Sequence, residues 1–251
     1  MNQRINNLNK SEIPTDDKDF YIFKDYQVTT DTKVDVYFRD MEYHLIERIK
    51  KYKCVVGCVA WLTNEPILKA LANLKFVSIV VQKEDFLRPD SNNGYGSGQK
   101  LRNLYSQIPR FDRFNLPGIP GDLSVCSNPF DIFPIRCAGI YQSDKRIVHP
   151  RMHHKFLVFC EQVPCCEDRE QNLNPMDEDY NNPHWSYCPK EVWTGSFNFT
   201  ANGTQSLENA VVISSKEVAW SYYQEWAQVL GISEPLDWDR PWVDPEWRIG
   251  T

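Results

Sequence analysis

CVVGCVAWLTNEPILKALANLKFVSIVV, residues 54–81, decides the fold. Its two ends, Cys54 to Leu62 and Phe76 to Val81, are almost continuously apolar, as strands covered on both faces of a parallel sheet are. Between them Glu65 to Leu74 (EPILKALANL) predicts a short helix. Strand, helix and strand in so short a span make a βαβ unit. Upstream, Tyr37 to Lys53 carries Met41, Leu45, Ile46 and Ile49 near helical spacing. Downstream, 86–99 is rich in Pro, Asn, Gly and Ser and predicts a loop, and a short helix is expected near Leu101 to Ile108. Residues 110–132 are punctuated by Pro and Gly and read as irregular. Strands are expected at Ile135 to Tyr141, His154 to Phe159, 191–198 and Ala210 to Ile213, with a closing aromatic helix from Glu217 to Leu230. The expected architecture is α/β, with a mixed, mostly parallel sheet flanked by helices on both faces. It would occupy residues 21–231, with an acidic insertion at 161–190. A flexible arm is expected at 1–20, and a Trp/Pro-rich tail at 232–251 is expected to pack back as irregular structure.

Composition bounds the class. The chain of 251 residues is 41% hydrophobic and 25% charged, an ordinary globular balance. No apolar run approaches the 18 or so residues of a membrane span, and the first twenty residues lack the apolar centre of a secretory signal. A cytoplasmic protein is the expectation. Eight cysteines, at 54, 58, 126, 137, 160, 165, 166 and 188, are too sparse for a disulfide scaffold and read as reduced thiols. The net charge of −6 argues against a uniformly basic coat but not against a local basic groove.

Two segments carry chemistry. The first is Met152-His153-His154-Lys155-Phe156, at the start of an apolar strand. Strand alternation puts His153 and Lys155 on one face and His154 on the other. An imidazole can act as nucleophile or proton donor near neutral pH, and an ammonium beside it compensates phosphoryl charge. The second is Thr194-Gly195-Ser196-Phe197-Asn198-Phe199-Thr200, followed by Ser206-Leu207-Glu208-Asn209 and AVVI. Ser196 and Asn198 would share a face and offer neutral donors to phosphate oxygens. Gly195 would let the backbone approach a ligand. Thr200 suits the N-cap of a following turn. Glu208 could hold a histidine in one tautomer.

HxK, then GSxNxT, then a Glu-Asn pair entering an apolar strand resembles the phospholipase D superfamily. The wording is most similar to its single-motif nucleases and to the mitochondrial cardiolipin-hydrolase and small-RNA-nuclease relatives. The resemblance spans roughly residues 30–231. It implies the mixed sheet flanked by helices and a metal-independent phosphodiesterase with no cofactor. It makes His153 the nucleophile of a covalent phosphohistidine, Lys155, Ser196 and Asn198 the phosphate-binding set, and Glu208 the acid that orients the histidine. The other histidines (44, 149, 154, 184) form no second HxK, so a twofold homodimer is expected to supply the second His153 as general acid. Where the family has Asp, this chain has Cys160.

The substrate class stays open. Lys145, Arg146, Arg151 and Lys155 form one basic run with His149, and Arg48, Lys50, Lys51 and Lys53 form another. If either lines the cleft, a polyanion is favoured. Tyr105, Phe111 and Phe114 interleave with Arg102, Arg110 and Arg113, a composition suited to stacking on unpaired bases or to a core. A nuclease acting on DNA or RNA is therefore preferred over a lipid phosphodiesterase, with a nucleic-acid-binding module motivated by Cys160 as a third reading and room left for accessory protein subunits. Seven acids against the single base Arg169 within 161–182 read as a solvated loop or as a lid over the site. Cys160, Cys165, Cys166, Cys188 and His184 are a zinc-ligand option whose spacing matches no familiar pattern.

Overall fold

A computed structural model describes residues 33–88, 97–110, 133–144, 151–164 and 185–244, together with the strand segments 12–14, 20–22, 28–29, 123–125 and 247–249. The strands are β1 (Glu12–Pro14), β2 (Phe20–Ile22), β3 (Val28–Thr29), β4 (Val34–Tyr37), β5 (Cys54–Val59), β6 (Phe76–Gln82), β7 (Leu123–Val125), β8 (Ile135–Ala138), β9 (Lys155–Pro164), β10 (Trp185–Gly195), β11 (Ala210–Ile213) and β12 (Trp247–Ile249). The helices are α1 (Met41–Ile49), α2 (Glu65–Ala72), α3 (Ser97–Tyr105) and α4 (Lys216–Gly231).

The βαβ unit forms as read. Asn64 caps α2, its side chain accepting from the Ile67 N–H at 2.9 Å, and Pro66 sits in the first turn where its missing N–H costs nothing. Ile67, Leu68 and Leu71 bury one face of that helix against the sheet. α4 starts the same way, with Ser215 Oγ accepting from Val218 N at 3.3 Å.

The main sheet has the order β3-β4-β11-β10-β9-β5-β6-β8. α1, α2 and α3 cover one face through residues such as Leu45, Leu68 and Leu104. α4 covers the other with Ala219, Tyr223, Trp226 and Leu230. Helices on both faces and a mixed sheet are as expected. The strand direction is not: only β5–β6 and β6–β8 are parallel, and the other five pairings are antiparallel. A continuous apolar run reports two covered faces, not direction. β5 and the first half of β9 are such runs, yet they form an antiparallel pair.

Gly195 closes β10 against β11. A Cβ there would strike Asn209 O and lie 2.7 Å from Ala210 Cα. The close approach that Gly195 permits here is that of two backbones. Gly195→Ala is expected to cost about 1–3 kcal/mol of stability by overpacking, read as a lower urea midpoint with an unchanged slope.

The segments outside the sheet are partly ordered by pairing. β1, within the arm read over 1–20, pairs antiparallel with β2. The tail is more than irregular structure. Cys137 and Glu234 exchange backbone hydrogen bonds at 2.9 Å, Tyr141 N donates to Pro241 O at 2.8 Å, and β12 pairs with β7. Two buried cations hold it. Arg136 donates to Ser233 Oγ (2.8 Å) and Ser233 O (3.0 Å). Lys83 pairs with the Glu234 carboxylate, donates to Trp242 O at 2.6 Å and lies 4.4 Å from the centre of the Trp238 ring.

Candidate active site

Register brings the two segments together. Val59 of β5 stands opposite Lys155 of β9, and Phe156 stands opposite Thr194 of β10. Gly195 in turn stands opposite Ala210 of β11. The end of β5, the start of β9, the end of β10 and the start of β11 therefore meet at one end of the sheet. His153 and Lys155, Ser196 and Asn198, and Glu208 all lie there.

His153 is exposed and Lys155 half-buried. The Lys155 Nζ lies 3.2 Å from His153 Nδ1, 3.4 Å from Nε2 and 3.2 Å from the His153 carbonyl oxygen. The Trp61 ring meets the imidazole edge-on, with centroids 5.2 Å apart, and its Nε1 donates to Glu84 at 3.2 Å. Partial burial lowers the His153 pKa from its ordinary value, and the charges of Lys155, Arg151 and His154 lower it further. Burial likewise lowers Lys155, against the carboxylate of Glu208. The imidazole thus stays neutral to a lower pH than a free histidine, whose value is about 6.5. The acid limb of a pH–rate profile should accordingly fall below about 6.5, and Arg151→Ala should move it towards higher pH by removing a repelling charge. Steady-state rates from pH 4 to 9 check both.

The GSFNFT segment alternates as read. Phe197 and Phe199 point into the core, their ring centroids 5.4 Å apart, and Phe199 O accepts from Thr63 N (2.8 Å) and Asn64 N (2.9 Å). Ser196 is exposed; its N–H donates to Asn209 O and its Oγ accepts from Asn209 N, both at 3.0 Å. The hydroxyl proton is left to donate. Asn198 Oδ1 is buried with no hydrogen-bond partner, a polar atom that a bound group or a second chain can satisfy. Thr200 Oγ1 accepts from Gly203 N at 3.0 Å, capping the following turn as read. Glu208 acts on Lys155 through charge. Among the described residues no hydrogen bond joins it to His153, so its expected role in orienting that ring is not met within one chain.

Other expectations change. Arg151 is exposed and close enough to shift His153; Lys145, Arg146 and His149 lie outside the described residues. Arg48 is no groove residue, being tied to Asp35 at 2.6 Å and Glu191 at 3.1 Å. Lys50 pairs with Glu47. Tyr105 is buried, its hydroxyl donating to Leu62 O at 2.7 Å. Arg102 donates to Arg88 O, and Arg110 lies over Phe133. Phe111, Arg113 and Phe114 are outside the described residues.

Cys160 is fully buried beneath α4 and stands opposite Cys54, whose thiol is pushed up by burial and by its hydrogen bond with Cys160. It lies on the face of β9 opposite to Lys155, five residues on, or roughly 17 Å along the strand. An Asp is therefore not missing from the site itself. The zinc option loses its centre. Alternation puts Cys160 and Cys188 on opposite faces, and no metal-sized group of His, Cys, Asp or Glu occurs among the described residues. Cys165, Cys166 and His184 lie outside them. Cys54, Cys58, Cys137 and Cys160 are free thiols. The acidic insertion leaves β9 at Pro164 and enters β10 at Trp185, nine residues, or roughly 30 Å, beyond Lys155. Both anchors are at the far end of the sheet from His153, and the loop between them, read as a solvated loop or a lid, lies outside the described residues.

Trp61, Gln82 and Glu84 were not singled out from sequence. The one available signal was a polar residue, Gln82, ending the apolar run FVSIVV.

The HxK pair and the GSxN turn that carry the resemblance to the phospholipase D superfamily lie at one end of this mixed sheet. Similar solved structures include Nuc from Salmonella typhimurium, described as a phospholipase D family member (18% identity, 80% of this chain and 96% of that one, TM-score 0.45). Others are NucT from Helicobacter pylori (12%, 81% and 98%, TM-score 0.47) and phosphatidylserine synthase from Haemophilus influenzae (11%, 86% and 43%, TM-score 0.35). No family model matches the chain. It is 32% identical over 224 residues to the uncharacterized protein L381 of Acanthamoeba polyphaga mimivirus, covering 83% of this chain and 69% of that protein. The chain belongs to the same family as L381. Among the described residues no helix is long and apolar enough to cross a membrane.

Proposed function

We propose that the protein is a phosphodiesterase in which His153 attacks phosphorus, and that its substrate is a nucleic acid. The observation that carries this is the Lys155 ammonium 3.2 Å from the His153 ring. It disfavours the imidazolium and stands ready for a phosphoryl oxygen at the same place. Ser196, with a free hydroxyl proton, and Asn198, with an amide, follow β10 at the same end of the sheet.

In the first step the unprotonated ring nitrogen of His153 forms a bond to phosphorus as the bond to the departing oxygen breaks. That oxygen needs a proton from the far side. His154 does not supply it, since its Nε2 is engaged with Glu225 at 3.2 Å on the other face. The His153 of a second copy does, across a twofold axis, protonated by the charge of the bound phosphate. Water, activated by that second imidazole, then attacks the phosphohistidine and releases the product.

Trp61 and Arg151 favour nucleic acid, since an aromatic ring and a cation beside a phosphate site suit a base and its backbone. A lipid reading has one observation of its own: Leu207 beside Glu208 is 51% exposed. Incubation with labelled single-stranded and double-stranded nucleic acid, and with phospholipid vesicles, all in EDTA, tests the proposal. Nucleic-acid cleavage in EDTA that His153→Ala abolishes is the expected result. Cleavage that requires added Mg²⁺, or hydrolysis of vesicles alone, overturns it.

A further inference from the structure

We infer that Gln82 is a positioning residue that holds His153 in register with Trp61 and Lys155; in the catalytic sense this rests on the function proposed above. Gln82 ends β6 and is 1% exposed. Its Oε1 accepts from Met152 N at 2.7 Å, directly before His153. Its Nε2 donates to Ile140 O (3.0 Å) and Lys83 O (3.1 Å). Its backbone N–H donates to Ala60 O at 3.1 Å, directly before Trp61. Ala60 N in turn donates to His154 O at 2.8 Å. The backbone is therefore fastened one residue before His153, at Met152 N, by the Gln82 side chain, and one residue after it, at His154 O, by the residue that Gln82 holds through its backbone.

The orientation of the amide is forced. Nε2 faces two carbonyl oxygens and Oε1 faces an N–H, so the flipped amide would set oxygen against oxygen and hydrogen against hydrogen. No apolar side chain can do this work. A hydrocarbon at position 82 would leave the buried Met152 N–H and Lys83 C=O without these partners and Ile140 C=O without its donor, and Met152 would be free to move. His153 and Lys155 act as a pair 3.2 Å apart, and a shift of about 1 Å in such a pair can lower a rate by about 10²-fold.

Gln82→Met, close in volume and apolar, tests this. It is expected to lower kcat by about 10- to 100-fold with KM within about twofold. It should also abolish the ring-current shift that Trp61 imposes on the His153 ring protons in an NMR spectrum. Leu104→Ala, which opens the core under α3, controls for lost stability and should leave both readouts unchanged. Equal losses in the two variants, or an unmoved His153 signature in Gln82→Met, overturn the inference. A measurement on the unaltered protein stands even if that variant fails to fold. The Met152 amide should exchange with deuterium slowly, and exchange at the open-chain rate removes the bond on which the inference stands. These two spectroscopic results do not depend on activity. An unaltered protein that cleaves no phosphodiester, yet protects Met152 and keeps the His153 shift, sinks the function and spares the positioning.

Discussion

His153→Ala is expected to lower kcat on the order of 10⁴-fold, with the folded content and melting temperature unchanged. A nucleophile that forms a covalent intermediate has no substitute in the site, and loss of one member of a catalytic unit removes nearly all of its contribution. Its exposure on the sheet end means that little packing is lost with it. Lys155→Met should cost less, on the order of 10²-fold, because it stabilises charge without forming a bond. His154→Ala separates local disturbance from chemistry. His154 is the adjacent imidazole, but it faces Glu225 on the other side of the strand, and its loss should leave the rate within about twofold. Rates at saturating substrate, with circular dichroism melts of the same samples, decide among these. A His154 variant as defective as the His153 variant would mean that the two imidazoles have been assigned the wrong way round.

The largest effect on stability is expected from Lys83→Met. The ammonium is wholly buried and its partner Glu234 nearly so. Removing the cation leaves an uncompensated carboxylate inside the protein, a change worth about 3–5 kcal/mol. In a domain of this size that corresponds to a melting temperature lower by on the order of 10 °C. Glu234 still accepts from Asp244 N at 2.8 Å, but one hydrogen bond does not replace the lost charge. The double variant Lys83→Met with Glu234→Leu removes both charges and should recover most of the loss, since apolar pairs of similar volume often match a buried ion pair. Thermal melts of the three variants measure the coupling. An additive double variant would mean that the pair contributes nothing through mutual attraction.

The closeness of the motif residues was legible because their spacing is local. Lys155 reaches His153 two residues back, and Ser196 and Asn198 are spaced by two beside the ends of the strands. Phe197 and Phe199 alternate with them and anchor the turn. Strand direction was not legible, because Leu157, Val158 and Val192 look the same in a parallel sheet as in an antiparallel one covered on both faces. The anchoring of the tail was illegible for another reason. Lys83 and Glu234 are 151 residues apart in the chain, and no local pattern says that two opposite charges will be buried against each other. The place of Arg48 was not legible either, because a basic run gives no hint that one of its members turns inward to Asp35 and Glu191. Cys160 looked like a defect in a motif, whereas β9 carries that position away from the site and into the core.

The central claim is that two imidazoles from two copies flank one phosphate. Co-expression of the native chain with the His153→Ala chain in equal amounts, after subunit exchange, tests it most directly. If both rings are required, only native pairs work, and about a quarter of the activity of an all-native sample remains. If each chain works alone, about half remains, and the shared site is contradicted.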